Sequence, residues 1–222
     1  MTTILLIAAL LCAVLDWVAV ARQVKPLEYF AKPGVMVLLL GWLWLSSGFQ
    51  DGLAWFALGL LFSMGGDIAL MLPREQFIAG LVSFLLAHVA YLVGFTQGPL
   101  PLNYVSLALA VLVGLTASQV YRRVAGGLKA SGQEKLKLPV LAYTSVISLM
   151  LLSALLTLVR PEWAAQPALL VSSGALLFFI SDGTLAWNKF VSPLPHGRLV
   201  VIITYHLGQM LIILGAAGQM VK

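Results

Sequence analysis

Charge is scarce in this sequence. Only 9% of its 222 residues are Asp, Glu, Lys or Arg, while 61% are hydrophobic. A soluble domain carries about 25% charged residues. Too few polar side chains are present to cover a water-exposed globule, which excludes a cytosolic enzyme or a nucleic-acid-binding domain. Cysteine is nearly absent: Cys12 stands alone, so no internal disulfide or cysteine-based metal cluster can form. No H-E-x-x-H pattern occurs, and only His88 and His206 fall in apolar stretches, so a three-histidine zinc site would have to recruit His196. There is no G-x-S-x-G elbow to give Ser63, Ser83, Ser172 or Ser173 a nucleophile's role, and no glycine-rich phosphate loop.

What is present is apolar sequence in long runs. A hydrocarbon core about 30 Å thick needs roughly 20 apolar residues of helix. Eight segments qualify, over about 3–21, 34–49, 53–72, 77–97, 101–119, 138–159, 167–187 and 197–220. The reading is an all-α, polytopic membrane helix bundle forming a single transmembrane domain over 1–222. Pro33, Pro73, Pro101, Pro139 and Pro167 fall at or near predicted boundaries, where proline is tolerated or stops a helix. Gln50-Asp51-Gly52 leaves only a tight link between the second and third spans. Ala19-Val20-Ala21 imitates a signal-peptidase site, but the first span lacks a basic n-region and runs long, so it reads as a retained helix.

Alternating the loops places Arg22, Lys25, Lys32, Arg74, Arg122, Arg123, Lys129, Lys135, Lys137, Lys189 and Arg198 on one side and only Arg160 and Lys222 on the other. The positive-inside rule then predicts cytoplasmic basic loops and both termini outside, in a plasma or inner membrane. The 120–137 segment reads as a basic linker between two four-helix halves.

An ionisable side chain at bilayer depth costs at least about 2.5–3.5 kcal/mol and calls for a reason. Asp16, Asp67 and Asp182 all lie about five residues, or about 7–8 Å, from the basic end of their predicted helices. His88 and Tyr205 reach comparable depth on helices entering from the same side. The topology rests on loop charges alone, so this shared depth is an independent result. It predicts a polar cluster opening toward the basic side. Blander readings exist. Asp16 can snorkel or pair with Arg22, while Asp67 and Asp182 follow small residues that permit plain interhelical hydrogen bonds. His88 has Tyr91 one turn along its face, Tyr205 and Gln209 share another face, and His196, between Pro195 and Gly197, reads as solvated.

The segment Leu61–Leu70 aligns with Leu176–Leu185 so that Asp67 matches Asp182. A parallel four-plus-four repeat would bring the two carboxylates to one pseudo-two-fold axis. Two nearby buried carboxylates do not readily both ionise. One protonated and one ionised Asp supply an acid and a base. The same pair would serve a proton-coupled transporter or a lipid-binding membrane protein, and the chemistry alone does not separate them.

Two stretches carry a family resemblance. The first is Lys32-Pro33, then Gly66-Asp67 with Leu70, Phe77, Gly80-Leu81, Phe84, His88 and Tyr91. The second runs from Ser173-Gly174-Ala175-Leu176 through Phe179-Ile180-Ser181-Asp182, Leu185-Ala186 and Asn188-Lys189-Phe190 to Pro193, Pro195, Arg198, Thr204-Tyr205 and Gln209-Met210. Together they resemble the YhhN family of membrane proteins, the lysoplasmalogenases, over nearly the whole chain.

The resemblance implies an eight-helix hydrolase that cleaves the sn-1 vinyl ether of a lysophospholipid, releasing a fatty aldehyde and glycerophosphoethanolamine or glycerophosphocholine. Vinyl ether hydrolysis needs a general acid and a carboxylate, and neither a metal nor another cofactor. Asp67 and Asp182 are the expected acid–base pair, in either order, with His88, Tyr91, Tyr205 and Gln209 orienting water and substrate oxygens. Lys32, Lys189 and Arg198, with Arg74 and Asn188 beside them, are placed to meet a phosphate at the interface, the alkenyl tail lying among apolar helices. The expected partners are the lysophospholipid and membrane lipids, without nucleic acid.

Overall fold

The computed structural model describes residues 2–50, 52–72 and 76–221. Asp51, Arg74 and Lys222, which entered the loop and charge assignments, lie outside them. Among the described residues eight α-helices follow in chain order: α1 (Thr2–Arg22), α2 (Lys25–Ser47), α3 (Leu53–Met71), α4 (Phe77–Phe95), α5 (Tyr104–Ala130), α6 (Lys137–Leu156), α7 (Ala165–Phe190) and α8 (Gly197–Met220). All eight are long and apolar enough to cross a membrane. The chain is a multi-pass helical membrane bundle.

Two boundaries depart from the sequence reading. The second helix begins at Lys25, not at 34, and runs through Pro33. Its first turns looked like loop because they carry Lys25, Glu28 and Lys32. Lys25 pairs with Glu28 within the helix, and partners across the bundle meet Glu28 and Lys32, as described below, so the helix starts well before its apolar face does. The fifth helix continues to Ala130, which turns most of the expected 120–137 linker into helix. Val124 and Leu128 on this extension bury against Val140 and Phe190 in a small cluster apart from the main core. The seventh helix likewise reaches Phe190, so Asn188 and Lys189 are helical.

Helices α1 with α2, α3 with α4, and α7 with α8 form the most extensively packed pairs. The last pair is the tightest. A Cβ at Gly174 would lie 2.7 Å from the Gly208 carbonyl oxygen, so these two backbones meet with no room for a side chain. At the end away from the basic loops, the buried Arg160 guanidinium donates to the carbonyls of Phe95 (2.7 Å), Gly98 (3.0 Å) and Pro99 (2.8 Å). It thereby satisfies carbonyls that the end of α4 leaves without helical partners. This accounts for one of the two cations on the poor side of the charge pattern.

The core midway through the bundle is aromatic. Phe84, Phe178, Tyr205, His88 and Tyr91 contact one another edge to face, with ring centroids 4.6–6.5 Å apart. Above this layer, toward the basic connections, the interior becomes polar.

Candidate active site

The polar region is a cavity of about 340 Å³ between α2, α3, α7 and α8, reached by the basic ends of those helices. Lys25, Glu28 and Lys32 enter from α2, Asp67 from α3, Asp182, Asn188 and Lys189 from α7, and Arg198 and Tyr205 from α8. The two aspartates therefore line one space, and each carboxylate has its own partners.

Asp67 is 1% exposed. Lys32 Nζ stands 3.1 Å from its Oδ1, and the Tyr205 hydroxyl donates to its Oδ2 at 2.6 Å. Tyr205 also approaches Met36 Sδ at 3.8 Å. A charge buried this deeply needs both a counter-ion and hydrogen bonds, and Asp67 has them.

Asp182 is served differently. The Tyr143 hydroxyl, from α6, donates to its Oδ2. His88 Nε2 lies 3.1 Å from the same oxygen and 3.0 Å from the Tyr143 hydroxyl, so the three groups form a triangle. The second face of Asp182 opens on an apolar groove of about 60 Å³ between α4, α5, α6 and α7, lined by Phe77, Leu81, Val124, Ile147 and Phe179 among others. Leu70, Phe84, Asp182, Leu185 and Lys189 are common to cavity and groove. Asp182 therefore stands where polar and apolar compartments join.

The remaining residues singled out in the sequence fall into three places. Tyr91 and Gln209 lie deeper, both fully buried, with the Tyr91 hydroxyl donating to Gln209 Oε1 at 2.5 Å. They line neither compartment. Asn188 reaches the cavity, but its Oδ1 accepts from the Leu194 backbone N–H at 2.7 Å, which ties down the α7–α8 turn. Lys189 Nζ sits 4.7 Å above the Phe77 ring.

Asp16 neither snorkels nor pairs with Arg22. It is completely buried on α1, and neither carboxylate oxygen has a hydrogen-bond partner among the described residues. His206 accepts from Trp17 Nε1 at 3.2 Å through Nδ1. His196 is exposed at the start of α8. No group of three metal-ligating side chains occurs among the described residues.

Two site residues escaped the sequence reading. Tyr143 was legible: it lies six residues into α6 from the basic end, the depth shared by the aspartates. Glu28 was hidden because its segment read as loop. It is 4% exposed and accepts from Arg198 and Lys25.

A bundle of membrane-crossing helices that buries a lysine–aspartate pair and a tyrosine–histidine–aspartate triangle around one cavity is a multi-pass membrane protein with an intramembrane polar site. The chain belongs to the YhhN family, whose family model matches residues 27–216. It is 38% identical over 158 residues to the pig (Sus scrofa) protein "Lysoplasmalogenase TMEM86B", covering 71% of this chain and 61% of that protein. To the human protein of the same name it is 32% identical over 181 residues, covering 82% and 71% respectively. An Escherichia coli O157:H7 protein, "Uncharacterized membrane protein YhhN", is 27% identical over 191 residues, covering 82% of this chain and 83% of its own. The alignment thus spans less than two thirds of the pig relative's length. No solved structure matches the chain.

Proposed function

We propose that this protein hydrolyses the sn-1 vinyl ether of lysoplasmalogens, with Asp182 as general acid and Asp67 as the carboxylate that receives a proton from water. The observation that carries this reading is the position of Asp182 at the junction of the charged cavity and the apolar groove. A single-chain lipid laid across that junction has its tail in the groove, its phosphate in the cavity and its vinyl ether beside the carboxyl group. The relatives named lysoplasmalogenase support the same substrate class, and they favour hydrolysis over proton-coupled transport.

The two aspartates differ in a way that separates their roles. Lys32 and Tyr205 both stabilise the ionised form of Asp67, which suits a base and a cation stabiliser. Asp182 Oδ2 is gripped by Tyr143 and His88, which hold the carboxyl group at the junction to deliver a proton. In the first step that proton moves to the β-carbon of the vinyl ether, and the π pair forms the new C–H bond, giving an oxocarbenium ion. Water then adds to the α-carbon and gives a proton to Asp67, forming a hemiacetal. In the collapse of the hemiacetal, Asp182 takes back the hydroxyl proton and Asp67 gives its proton to the glycerol oxygen as the C–O bond breaks, releasing the aldehyde and the glycerol headgroup. One water is consumed and both carboxyl groups return to their starting states.

Within this reading Lys32 serves Asp67, while Lys189 and Arg198 meet the phosphate. Asn188 braces the turn that presents them. Tyr91 and Gln209 hold the faces of α4 and α8 that carry His88 and Tyr205 one turn away. The basic connections face the cytoplasm of a cell membrane, following the positive-inside rule.

The test is to supply detergent-purified protein with lysoplasmalogen and, separately, its saturated alkyl ether analogue, and to quantify fatty aldehyde. Aldehyde from the vinyl ether alone, lost in Asp182→Asn and Asp67→Asn with folding retained, is the expected result. An Asp182→Asn protein that keeps wild-type turnover overturns the acid assignment, and a folded wild type that makes no aldehyde overturns the function.

A further inference from the structure

Glu28 belongs to neither carboxylate of the proposed reaction, yet it is as buried as a core residue and stands at the cavity mouth. Its side chain is 5% exposed, while those of its two cationic partners, Lys25 and Arg198, are 49% and 57% exposed. Arg198 Nη2 lies 2.9 Å from Oε1 and 3.1 Å from Oε2, and Lys25 Nζ lies 3.0 Å from Oε2. One sunken carboxylate therefore tethers two cations that would otherwise swing in solvent, one from the first turn of α2 and one from the first turn of α8. All three line the same cavity as Asp67 and Asp182.

The tether engages only one end of the guanidinium. Arginine carries five N–H donors in a planar fork suited to phosphate oxygens. The bonds to Glu28 use Nη2, so Nε and Nη1 remain to meet an anion. Ordering a long cationic side chain before a ligand arrives removes much of the entropic cost of binding. An acidic residue at the mouth would ordinarily repel an anionic ligand. Here its charge is spent on two cations, and the surplus at the mouth stays positive.

We infer that Glu28 is a positioning residue that selects for a phosphodiester headgroup, by holding Arg198 and Lys25 as a preformed clamp at the cavity mouth. This deepens the proposed function and rests on its placement of the headgroup in this cavity, but not on the hydrolytic chemistry. A plain staple between α2 and α8 would affect every ligand alike. A phosphate clamp affects only ligands that carry the phosphate.

Two non-hydrolysable lipids of the same chain length separate these possibilities: an alkyl ether lysophospholipid and the alkylglycerol lacking phosphate. Their dissociation constants are measured by titration in detergent on wild type, Glu28→Gln and Glu28→Asp. Glu28→Gln is expected to weaken the lysophospholipid about ten-fold, the scale of one charge-assisted contact. The alkylglycerol constant should change by less than about two-fold, and Glu28→Asp should keep most of the lysophospholipid affinity. If Glu28→Gln fails to fold, Arg198→Gln, at an exposed position, is expected to give the same split. Equal weakening of both lipids, or of neither, overturns the inference. A wild type that binds both lipids but releases no aldehyde from lysoplasmalogen would sink the hydrolytic reading and leave the clamp standing.

Discussion

Tyr143 and His88, from helices α6 and α4, converge on a single oxygen of Asp182 and on each other, with 3.0 Å between the imidazole Nε2 and the phenol oxygen. Their rings also meet edge to face, 5.4 Å apart. One oxygen of the carboxyl group is thereby fixed by two side chains from two different helices.

Replacing Tyr143 with Phe keeps the ring contact and removes one donor. Loss of such a bond costs about 1.5–3 kcal/mol, so kcat for aldehyde release is expected to fall by about 10- to 100-fold. KM should move little. A Tyr143→Phe enzyme with wild-type kcat would detach the phenol from the reaction.

Lys32 is the buried counter-ion of Asp67, so Lys32→Met should destabilise the fold by about 3–5 kcal/mol by stranding a charge. Adding Asp67→Asn removes the stranded charge and should recover much of the melting temperature without recovering activity. Thermal unfolding of the two variants in detergent checks this. A double variant no more stable than Lys32→Met would show that the pair does not hold the bundle.

Tyr91 and Gln209 were expected from sequence to touch the substrate, and their placement beneath the cavity gives them a different signature. Tyr91→Phe should cost about 1–2 kcal/mol of stability through the buried bond it breaks, while kcat/KM stays within about three-fold. A large loss of kcat in a protein of normal stability would return Tyr91 to the reaction.

Much of the arrangement could be read from residues alone. The spans followed from apolar length, and the common depth of Asp67, Asp182, His88 and Tyr205 followed from loop charge. What stayed hidden shares one physical origin: charge at a helix start is indistinguishable from a loop until its partner is known. Lys32 and Glu28 find theirs on α3 and α8, far away in sequence, and Lys25 pairs with Glu28. The same ignorance hid the contact of Lys32, expected at the phosphate, with Asp67 Oδ1 at 3.1 Å. The buried isolation of Asp16 was equally out of reach, because hydropathy gives depth and not what faces a side chain.

The close passage of α7 and α8 predicts a contrast between glycines. Gly174→Val should prevent accumulation of folded protein, since even a Cβ there meets the Gly208 oxygen and the Ile212 nitrogen at 2.7 Å. Gly114→Ala on α5, where nothing lies within 4 Å, should be neutral or gain up to about 1 kcal/mol. Yields and melting temperatures of the two proteins decide it.

The cavity takes Lys32 from the second helix and Tyr205 from the eighth, and this has a consequence for biosynthesis. During synthesis Asp67 enters the bilayer long before the tyrosine that completes its surroundings has been translated. A chain stopped after α7 would carry both aspartates in lipid with the α8 side of the pocket missing. Nascent chains at that stage should be preferred clients of insertion chaperones and membrane proteases, and arrival of the final helix is the event that releases them.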